Sequence, residues 1–274
     1  MKVKIKNTFI GDNHPCYVIG DLGINHNGSI ENAKELIDMS QECGIDAVKL
    51  QTFNAAEIVN KRYSPADYDI LKKYQMPYEW HEILFNYANK KNITIFSTPA
   101  NRKDILFLKR FDMPAIKIGS DDLINLPMIE IAAKQNKPVI LSTGAAYLDE
   151  VKNAVLILEQ NGCREIILLH CVSCYPASYA DAHLNKMITL MKTFEYPVGY
   201  SDHTTDITAS IGAVALGAKI IEKHITLDKK MEGPDHFLSS DYHELKKLVN
   251  EIKNVEKCLG VFQKEPVELE ISKR

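Results

Sequence analysis

Eight short apolar runs, each followed by a segment of helical periodicity, limit what this chain can fold into more than any other feature of its sequence. The runs are Cys16–Gly20, Ala47–Leu50, Thr94–Phe96, Ala115–Ile118, Pro138–Leu141, Glu165–Leu169, Pro197–Gly199 and Lys219–Glu222. Their richness in valine and isoleucine is typical of parallel strands buried on both faces. Eight strand–helix units in 274 residues predict an α/β fold, a (β/α)8 TIM barrel, rather than a doubly wound sheet.

The helices between these runs are predicted from apolar positions that recur on one helical face, as at Val151, Val155 and Leu158. They are placed at Ala33–Ser40 (ending at Gly44), Glu79–Lys91, Lys103–Arg110, Leu126–Gln135, Asp149–Asn161, Leu184–Thr193, Thr205–Leu216 and Tyr242–Leu259. The segment Asn54–Pro77 is a long insertion, rich in tyrosine and charge.

The two ends of the chain depart from this repeat. Two apolar pairs on either side of Asn7-Thr8 predict a short N-terminal β-hairpin. No low-complexity linker interrupts residues 1–262, which we assign to one barrel domain. Residues 263–274 are charged and aperiodic, and we expect them to form a tail or the remnant of a linker.

Charge and composition argue against several partners and compartments. The net charge of -3 at pH 7 gives no general reason to expect nucleic acid or an anionic membrane as partner. No run reaches the roughly 18 apolar residues of a membrane span, and the N-terminus lacks the apolar part of a signal peptide. The six cysteines are scattered, as expected of reduced thiols in the cytoplasm. Cys171 and Cys174 form one CxxC, which we interpret as thiols at a strand end rather than a redox or zinc site.

Two lysines, Lys49 and Lys117, lie inside otherwise apolar strands, where an unpaired ammonium group is costly. One interpretation is a structural ion pair for each. The candidate partners of Lys49 are then Asp21 and Gln51, and those of Lys117 are Asp121 and Asp122.

The other interpretation is that both ammonium groups face the mouth of the barrel, where barrel enzymes place their chemistry, and bind an anion. Hydroxyl groups at several strand ends would then complete a pocket for phosphate or carboxylate oxygens. These hydroxyls belong to Ser97, Thr98, Ser120, Ser142 and Ser201. A hydroxyl at a strand end also serves as a helix N-cap, but its repetition favours the anion pocket.

Two histidines follow the last two strands, which are neighbours in a barrel. His203 and His224 occupy these positions, with Asp202 and Glu222 close by in sequence. Paired imidazoles on adjacent strands predict a divalent metal site, and Mn²⁺, Fe²⁺, Co²⁺ and Zn²⁺ all fit mixed nitrogen and oxygen ligands. Water and substrate would complete the coordination, as activation of a carbonyl group requires.

Taken together, these segments resemble the sialic acid (N-acetylneuraminate) synthase family. The matching motifs cover nearly the whole chain in order. They are Gly23-Ile-Asn-His-Asn-Gly28, Val48-Lys-Leu-Gln-Thr52, Ser97-Thr-Pro99, Lys117-Ile-Gly-Ser120, Leu141-Ser-Thr-Gly144, Leu169-His-Cys-Val-Ser173 with Tyr175-Pro176, Gly199-Tyr-Ser-Asp-His-Thr204, Glu222-Lys-His224 and Gly233-Pro-Asp-His236.

The resemblance implies a transferase that condenses phosphoenolpyruvate with the aldehyde of an N-acetylhexosamine, such as N-acetylmannosamine, and releases phosphate by C–O cleavage. The product would be a sialic (nonulosonic) acid, as used in polysaccharide biosynthesis. His203 and His224 would hold Mn²⁺ or Mg²⁺ and would be catalytic together with Asp21. Asp21, Tyr175 and Asp235 would contact the sugar, and the family suggests a homodimer. The residues implied for phosphoenolpyruvate are Lys49, Thr98, Lys117, Ser120, Ser142 and Ser201.

The chain departs from the family in two places. Asp21 stands where the family has glutamate, and one methylene less can move a carboxylate by about 1 Å. The sequence ends at Arg274, where family members continue into an antifreeze-like domain that supplies an arginine to the partner subunit's sugar site. A truncated chain, a separate lid protein or a substrate that needs no lid would each account for this.

Two other functions stay open. One is a related deoxy-sugar acid synthase whose acceptor is a sugar phosphate, for which an extra basic cluster at the mouth is the distinguishing feature. The candidates for that cluster are Lys61, Arg62, Lys72 and Lys73. The other is a catalytically weak barrel that binds a ligand or a partner.

Overall fold

The computed structural model describes residues 1–274 and confirms the predicted barrel of eight parallel strands. The strands are β3 (Tyr17–Gly23), β4 (Ala47–Thr52), β5 (Thr94–Pro99), β6 (Ile116–Ile118), β7 (Val139–Ser142), β8 (Ile166–Cys171), β9 (Val198–Asp202) and β10 (Ile220–His224). Their order is β5-β4-β3-β10-β9-β8-β7-β6. The outermost two, β5 and β6, lie against each other without a regular ladder, so the barrel is nearly closed.

The predicted N-terminal hairpin is also confirmed. It consists of β1 (Lys2–Ile5) and β2 (Thr8–Gly11), which pair antiparallel. Its inner side chains are buried in the core of the barrel. Asp12 forms an ion pair with Lys219, just before β10, with a distance of 2.9 Å between Oδ1 and Nζ. The hairpin therefore covers the end of the barrel where the strands begin.

Every strand of the barrel is followed by a helix of at least two turns. These helices are α1 (Ile30–Cys43), α4 (Tyr78–Lys90), α5 (Arg102–Leu108), α6 (Leu126–Ala133), α7 (Leu148–Gln160), α9 (Asn185–Thr193), α10 (Thr208–Ala215) and α11 (Tyr242–Leu259). Local signals set their ends: Ser29 caps α1 by accepting from the backbone N–H of Asn32, and Gly44 ends it in the left-handed region at φ 79°. None of the helices combines the length and apolar character that crossing a bilayer requires.

Four short helices were not predicted. Two of them, α2 (Ala55–Ile58) and α3 (Pro65–Tyr74), form the inserted segment 54–77 at the mouth of the barrel. The others are α8 (Tyr179–Ala182) and α12 (Glu268–Ile271), the latter in the exposed tail. Three of them, α2, α8 and α12, have only four residues each, too few for the 3.6-residue period to show in the sequence. The fourth, α3, has ten residues but lies in the segment whose many tyrosines and charges obscure that period.

One strand extends further than its apolar run. The first apolar run ends at Gly20, but β3 continues to Gly23 and so includes Asp21. The reason is pairing on both sides, because Asp21 lies opposite His224 of β10 and opposite Lys49 of β4. Ladder hydrogen bonds to two neighbours hold the strand where its side chains are no longer apolar.

A buried histidine fastens α4 to the barrel. His81 Nδ1 lies 3.2 Å from the carbonyl oxygen of Tyr78 and 3.3 Å from that of Pro77, so this nitrogen carries the proton. Its Nε2 therefore accepts from the hydroxyl of Thr52 in β4, at 2.7 Å. Ser97 of β5 in turn donates to Thr52 Oγ1, also at 2.7 Å. Burial lowers the pKa of His81 to about 4 from its ordinary value of 6.5.

This arrangement predicts a specific loss of stability in acid. A histidine that is held neutral binds fewer protons in the folded than in the unfolded state. Its contribution to the free energy of unfolding is therefore complete above its unfolded pKa and is lost between about pH 6.5 and 4. Between these pH values, the free energy of unfolding of the wild type should fall by roughly 3 kcal/mol more than that of His81→Gln. Urea denaturation at a series of pH values measures this difference. The exposed His243→Asn variant should keep the wild-type pH slope. Parallel curves for wild type and His81→Gln would contradict the assignment.

Candidate active site

The carboxyl ends of the strands surround a cavity of about 630 Å³, a size typical of small-molecule sites. Strand register creates it. On β10, Glu222 pairs with Ser201 of β9, while His224 lies opposite Asp21 of β3. Because alternate residues of a strand point to the same face, these side chains converge inside the barrel. The residues that the family resemblance implies for the donor, the sugar and the metal all line this one cavity, whereas Ser97 and Asp202 do not.

Three buried charges form the floor of the cavity. Lys49 Nζ lies 2.7 Å from Asp21 Oδ2 and 3.3 Å from Glu222 Oε1. Burial alone would lower the pKa of Lys49, but the two carboxylates outweigh it and raise that pKa. Burial would likewise raise the pKa of Asp21, yet Lys49 and His224 hold it below its usual range. All three groups are thus kept charged in a place of low solvent access.

The second lysine has a different environment from the one predicted for an ion pair. Lys117 does not pair with Asp121 or Asp122. Its Nζ donates to Ser142 Oγ at 2.6 Å and to the carbonyl of Ile118 at 3.1 Å, with Glu222 Oε1 3.9 Å away. Burial lowers the pKa of Lys117, because the distant carboxylate compensates only in part. This ammonium group lacks a full counter-charge.

Hydroxyl groups accompany the lysines as predicted, with one exception. Thr98 Oγ1 is buried and has no hydrogen-bond partner, and Ser201 donates to Glu222 Oε1 at 2.9 Å. Ser120 Oγ accepts from the backbone N–H of Gly144 at 3.1 Å. A side chain at Gly144 would come within 2.7 Å of that hydroxyl, so this approach requires glycine. The exception is Ser97, which points away from the cavity toward Thr52.

The two histidines line the cavity with ring nitrogens that could bind a metal ion. His203 Nδ1 donates to the carbonyl of Val172 at 2.6 Å, so its Nε2 keeps a free lone pair. Burial lowers the pKa of His203 to about 4, so the ring is neutral. His224 Nδ1 and Asp21 Oδ1 are buried without hydrogen-bond partners.

The ring centroids of His203 and His224 are 5.6 Å apart. No group of three or more His, Cys, Asp and Glu side chains is arranged to hold an ion. Two imidazoles could therefore bind a cation whose remaining ligands are water or substrate, the arrangement typical of an open catalytic site.

Two residues form the outer wall next to the histidines. Tyr175 lies over His203 with ring centroids 4.3 Å apart and is 51% exposed, so one face of its ring is accessible. Asp235 Oδ2 lies 3.8 Å from His224 Nδ1, and burial raises the pKa of this carboxyl group. His236 anchors the loop behind it by donating to Asn27 Oδ1 at 2.9 Å. His236 is thus a structural residue.

Two acids have different roles from those expected at the metal site. Asp202 faces away from the cavity, where it accepts from Ser210 at 2.6 Å and lies 3.3 Å from Lys223 Nζ. Glu222 contacts both buried lysines and is central to the floor. Because side chains alternate between the two faces of a strand, the sequence positions of Asp202 in β9 and Glu222 in β10 already predict that only Glu222 faces the cavity. Of the CxxC pair, Cys171 is buried at the end of β8 and lines the cavity, and Cys174 is exposed; both thiols are free.

Comparisons with known proteins support an enzyme site. The model of the NeuB family matches residues 36–264. The chain is 46% identical to an uncharacterized protein of Methanocaldococcus jannaschii, over 97% of this chain and 78% of that protein. It is 39% identical to the N,N'-diacetyllegionaminic acid synthase of Legionella pneumophila, over 95% and 78% respectively. A solved N-acetylneuraminic acid (sialic acid) synthetase from Leptospira borgpetersenii superposes with a TM-score of 0.94 at 35% identity, over 100% of this chain and 95% of that one.

The charge arrangement of the floor predicts the effect of removing Glu222. Glu222→Leu leaves Lys49 with one counter-ion and Lys117 with none, so we expect it to lower the free energy of unfolding by about 3–5 kcal/mol. Glu222→Gln keeps the bond to Ser201 and should cost less. Glu130→Leu, which removes the exposed ion pair with Lys134, should change the free energy of unfolding by less than about 1 kcal/mol. Equal losses for the Glu222 and Glu130 variants in denaturation experiments would contradict this interpretation.

Proposed function

Since this chain belongs to the NeuB family, we propose that it is a synthase that joins phosphoenolpyruvate to the aldehyde of an N-acetylhexosamine and forms a nonulosonic acid. The observation that carries the proposal is the under-compensated Lys117, which lines one cavity together with the unpartnered hydroxyl of Thr98 and the pair His203 and His224. One cavity thus offers a site for a phosphorylated acid and a site for the activation of a carbonyl group.

The donor pocket would be formed by β6 and β7. Lys117 and the hydroxyls of Ser120, Ser142 and Thr98 supply donors for phosphate and carboxylate oxygens. Lys49 and Ser201 are held on the other side by Glu222 and can contact the same anion. A bound anion would complete the partial compensation of Lys117 and satisfy the buried Thr98 hydroxyl.

The metal site would be formed by His203 and His224, with Mn²⁺ or Mg²⁺ as the ion. The ion would act as a Lewis acid that polarises the open-chain aldehyde. The bond from His203 to the Val172 carbonyl fixes the ring's tautomer and orientation before any ligand binds.

The acceptor would lie between Asp21, Tyr175 and Asp235. Asp21 stays ionised, and its free Oδ1 can accept from a sugar hydroxyl or from the water that attacks carbon 2 of the donor. Burial raises the pKa of Asp235, and its carboxyl group lies where it can form a hydrogen bond with a sugar hydroxyl. The shorter aspartate at position 21 suits its place in β3, because its Oδ2 reaches Lys49 while Oδ1 remains available.

Assembly and location are part of the proposal. We expect a homodimer by analogy with the family. All six cysteines are free thiols, which supports a reducing compartment, and we propose the cytoplasm.

The proposal predicts phosphate release with a defined isotope pattern. With Mn²⁺, N-acetylmannosamine or a diacetamido hexose, and phosphoenolpyruvate carrying heavy oxygen at the bridge between carbon and phosphorus, the label should appear in inorganic phosphate, because the C–O bond breaks. Lys117→Met should lower kcat/KM by about 100-fold or more. Lys137→Met, a substitution at the opposite end of the barrel, should leave kcat/KM at the wild-type value.

Two results would contradict the proposal. One is the absence of phosphate release with these sugars and with N-acetylmannosamine 6-phosphate, which would leave a ligand-binding barrel. The other is label in the product instead of the phosphate.

The histidine pair predicts a metal requirement that can be measured without turnover. Chelation should abolish activity, and His203→Gln should weaken Mn²⁺ binding by about 10-fold or more in calorimetric or paramagnetic titrations. The matched control is His183→Asn, an exposed histidine at the same end of the barrel with φ 41°, a conformation that asparagine tolerates. Unchanged Mn²⁺ affinity in His203→Gln would exclude this residue as a ligand.

A further inference from the structure

We propose that Asp202 and Lys223 are positioning residues, which hold His203 in the orientation in which it binds a metal ion together with His224. This inference rests on the proposed function, because it takes the two histidines as the ligands of the divalent cation. It concerns a buried ion pair behind the ends of β9 and β10, which does not line the cavity and which the proposed chemistry does not use.

The ion pair lies where the ladder between the two histidine strands ends. Lys223 of β10 is opposite Asp202 of β9, and theirs is the last pairing of that ladder. Each partner directly precedes one of the histidines in sequence. His224 still pairs with Asp21 of β3, whereas His203 follows the last residue of β9. The direction of His203 therefore depends on contacts other than ladder hydrogen bonds.

The ion pair makes those contacts to Thr204, the residue after His203. Asp202 Oδ1 accepts from the backbone N–H of Thr204 and from its hydroxyl, both at 2.8 Å. Lys223 Nζ donates to the carbonyl oxygen of Thr204. Both backbone polar groups of one residue are thus bound by the two partners of the pair. Because His203 lies between Asp202 and Thr204, its backbone is held from both sides.

The pair itself has little freedom to move. Asp202 Oδ2 lies 3.3 Å from Lys223 Nζ and accepts from the hydroxyl of Ser210 in α10 at 2.6 Å. These three side chains and that of Thr204 are completely buried. A buried ion pair adds little stability compared with apolar side chains of similar volume. What apolar side chains could not supply is a fixed acceptor and a fixed donor for the backbone of Thr204.

The orientation of the His203 ring depends on this backbone. Its Nδ1 donates to the carbonyl of Val172 at 2.6 Å, and its own carbonyl accepts from the N–H of Ala177 at 2.9 Å. Both bonds go to the segment between β8 and α8, so they form only while the backbone of His203 keeps its direction. Loss of the bond to Val172 would release the tautomer and the orientation of the ring. Contacts of this kind, one step removed from a metal, change its affinity by about 10- to 100-fold.

The test measures Mn²⁺ binding by calorimetric or paramagnetic titration, without turnover. Lys223→Met removes the donor to the Thr204 carbonyl and should weaken Mn²⁺ binding by about 10-fold or more. Its affinity for phosphoenolpyruvate in the absence of Mn²⁺ should stay at the wild-type value, because no residue of the donor pocket changes. The matched control is Lys219→Met, which removes the ion pair with Asp12 beside the opposite end of β10 and should leave Mn²⁺ affinity unchanged.

A double variant separates positioning from stability. Asp202→Asn combined with Lys223→Met leaves no unpaired charge, so its free energy of unfolding should be close to that of the wild type. The Thr204 carbonyl still lacks its donor, so Mn²⁺ binding should remain about 10-fold weaker. Wild-type Mn²⁺ affinity in this double variant would show that the pair only stabilises the fold. That result would overturn the inference and leave the proposed function intact.

Absence of Mn²⁺ binding by the wild type would instead contradict the metal site of the proposed function. The inference is then decided by the side-chain ¹⁵N NMR spectrum of the histidines in the metal-free protein. The Nδ1–H signal of His203 is identified by its absence from His203→Gln. Loss of this signal in the double variant supports the inference, because the bond to Val172 is then broken. A signal unchanged from that of the wild type refutes it.

Discussion

The ion cluster of Asp21, Lys49 and Glu222 is the interaction on which the geometry of the site depends. The three groups come from three neighbouring strands, and each is at most 4% exposed. An isolated charge at such a depth is very unfavourable, so each group is acceptable only while the others are in place. A slip of one residue between β3 and either neighbour would break these contacts and turn the side chains to the other face. The cluster and the strand register therefore stabilise each other.

The cluster also links the two halves of the proposed chemistry. Glu222 contacts both Lys49 and Lys117 in the free protein, so an incoming polyanion competes with it and adds negative charge to a cavity already rich in carboxylates. That excess can be offset by a divalent cation at the histidines, or by a proton on Asp235, whose pKa burial already raises. Binding of the anion and binding of the cation should therefore favour each other, and thermodynamic linkage makes this coupling reciprocal.

The barrel could be predicted from sequence because burial on both faces imposes apolar composition along whole strands. The direction of the side chains at the strand ends was harder to predict. Asp21 is polar and lies just beyond the first apolar run, yet pairing with two neighbouring strands keeps it in β3. Asp202 and Glu222 both lie near a histidine in sequence, and alternation sends them to opposite faces. Proximity in sequence is thus a weak guide where the side-chain period is two residues.

The inserted segment explains how one floor could serve different acceptors. Residues at the strand ends are constrained by register and by buried charge, so a substitution there disturbs both stability and chemistry. The segment 54–77 contributes only its inner wall, and its basic side chains are free to pair with acids on the outer surface. In the proposed synthase, the preference for an acceptor can therefore change through substitutions in this wall, without disturbing the cluster below. Specificity at the mouth and chemistry at the floor are separable because only the floor is tied to the fold.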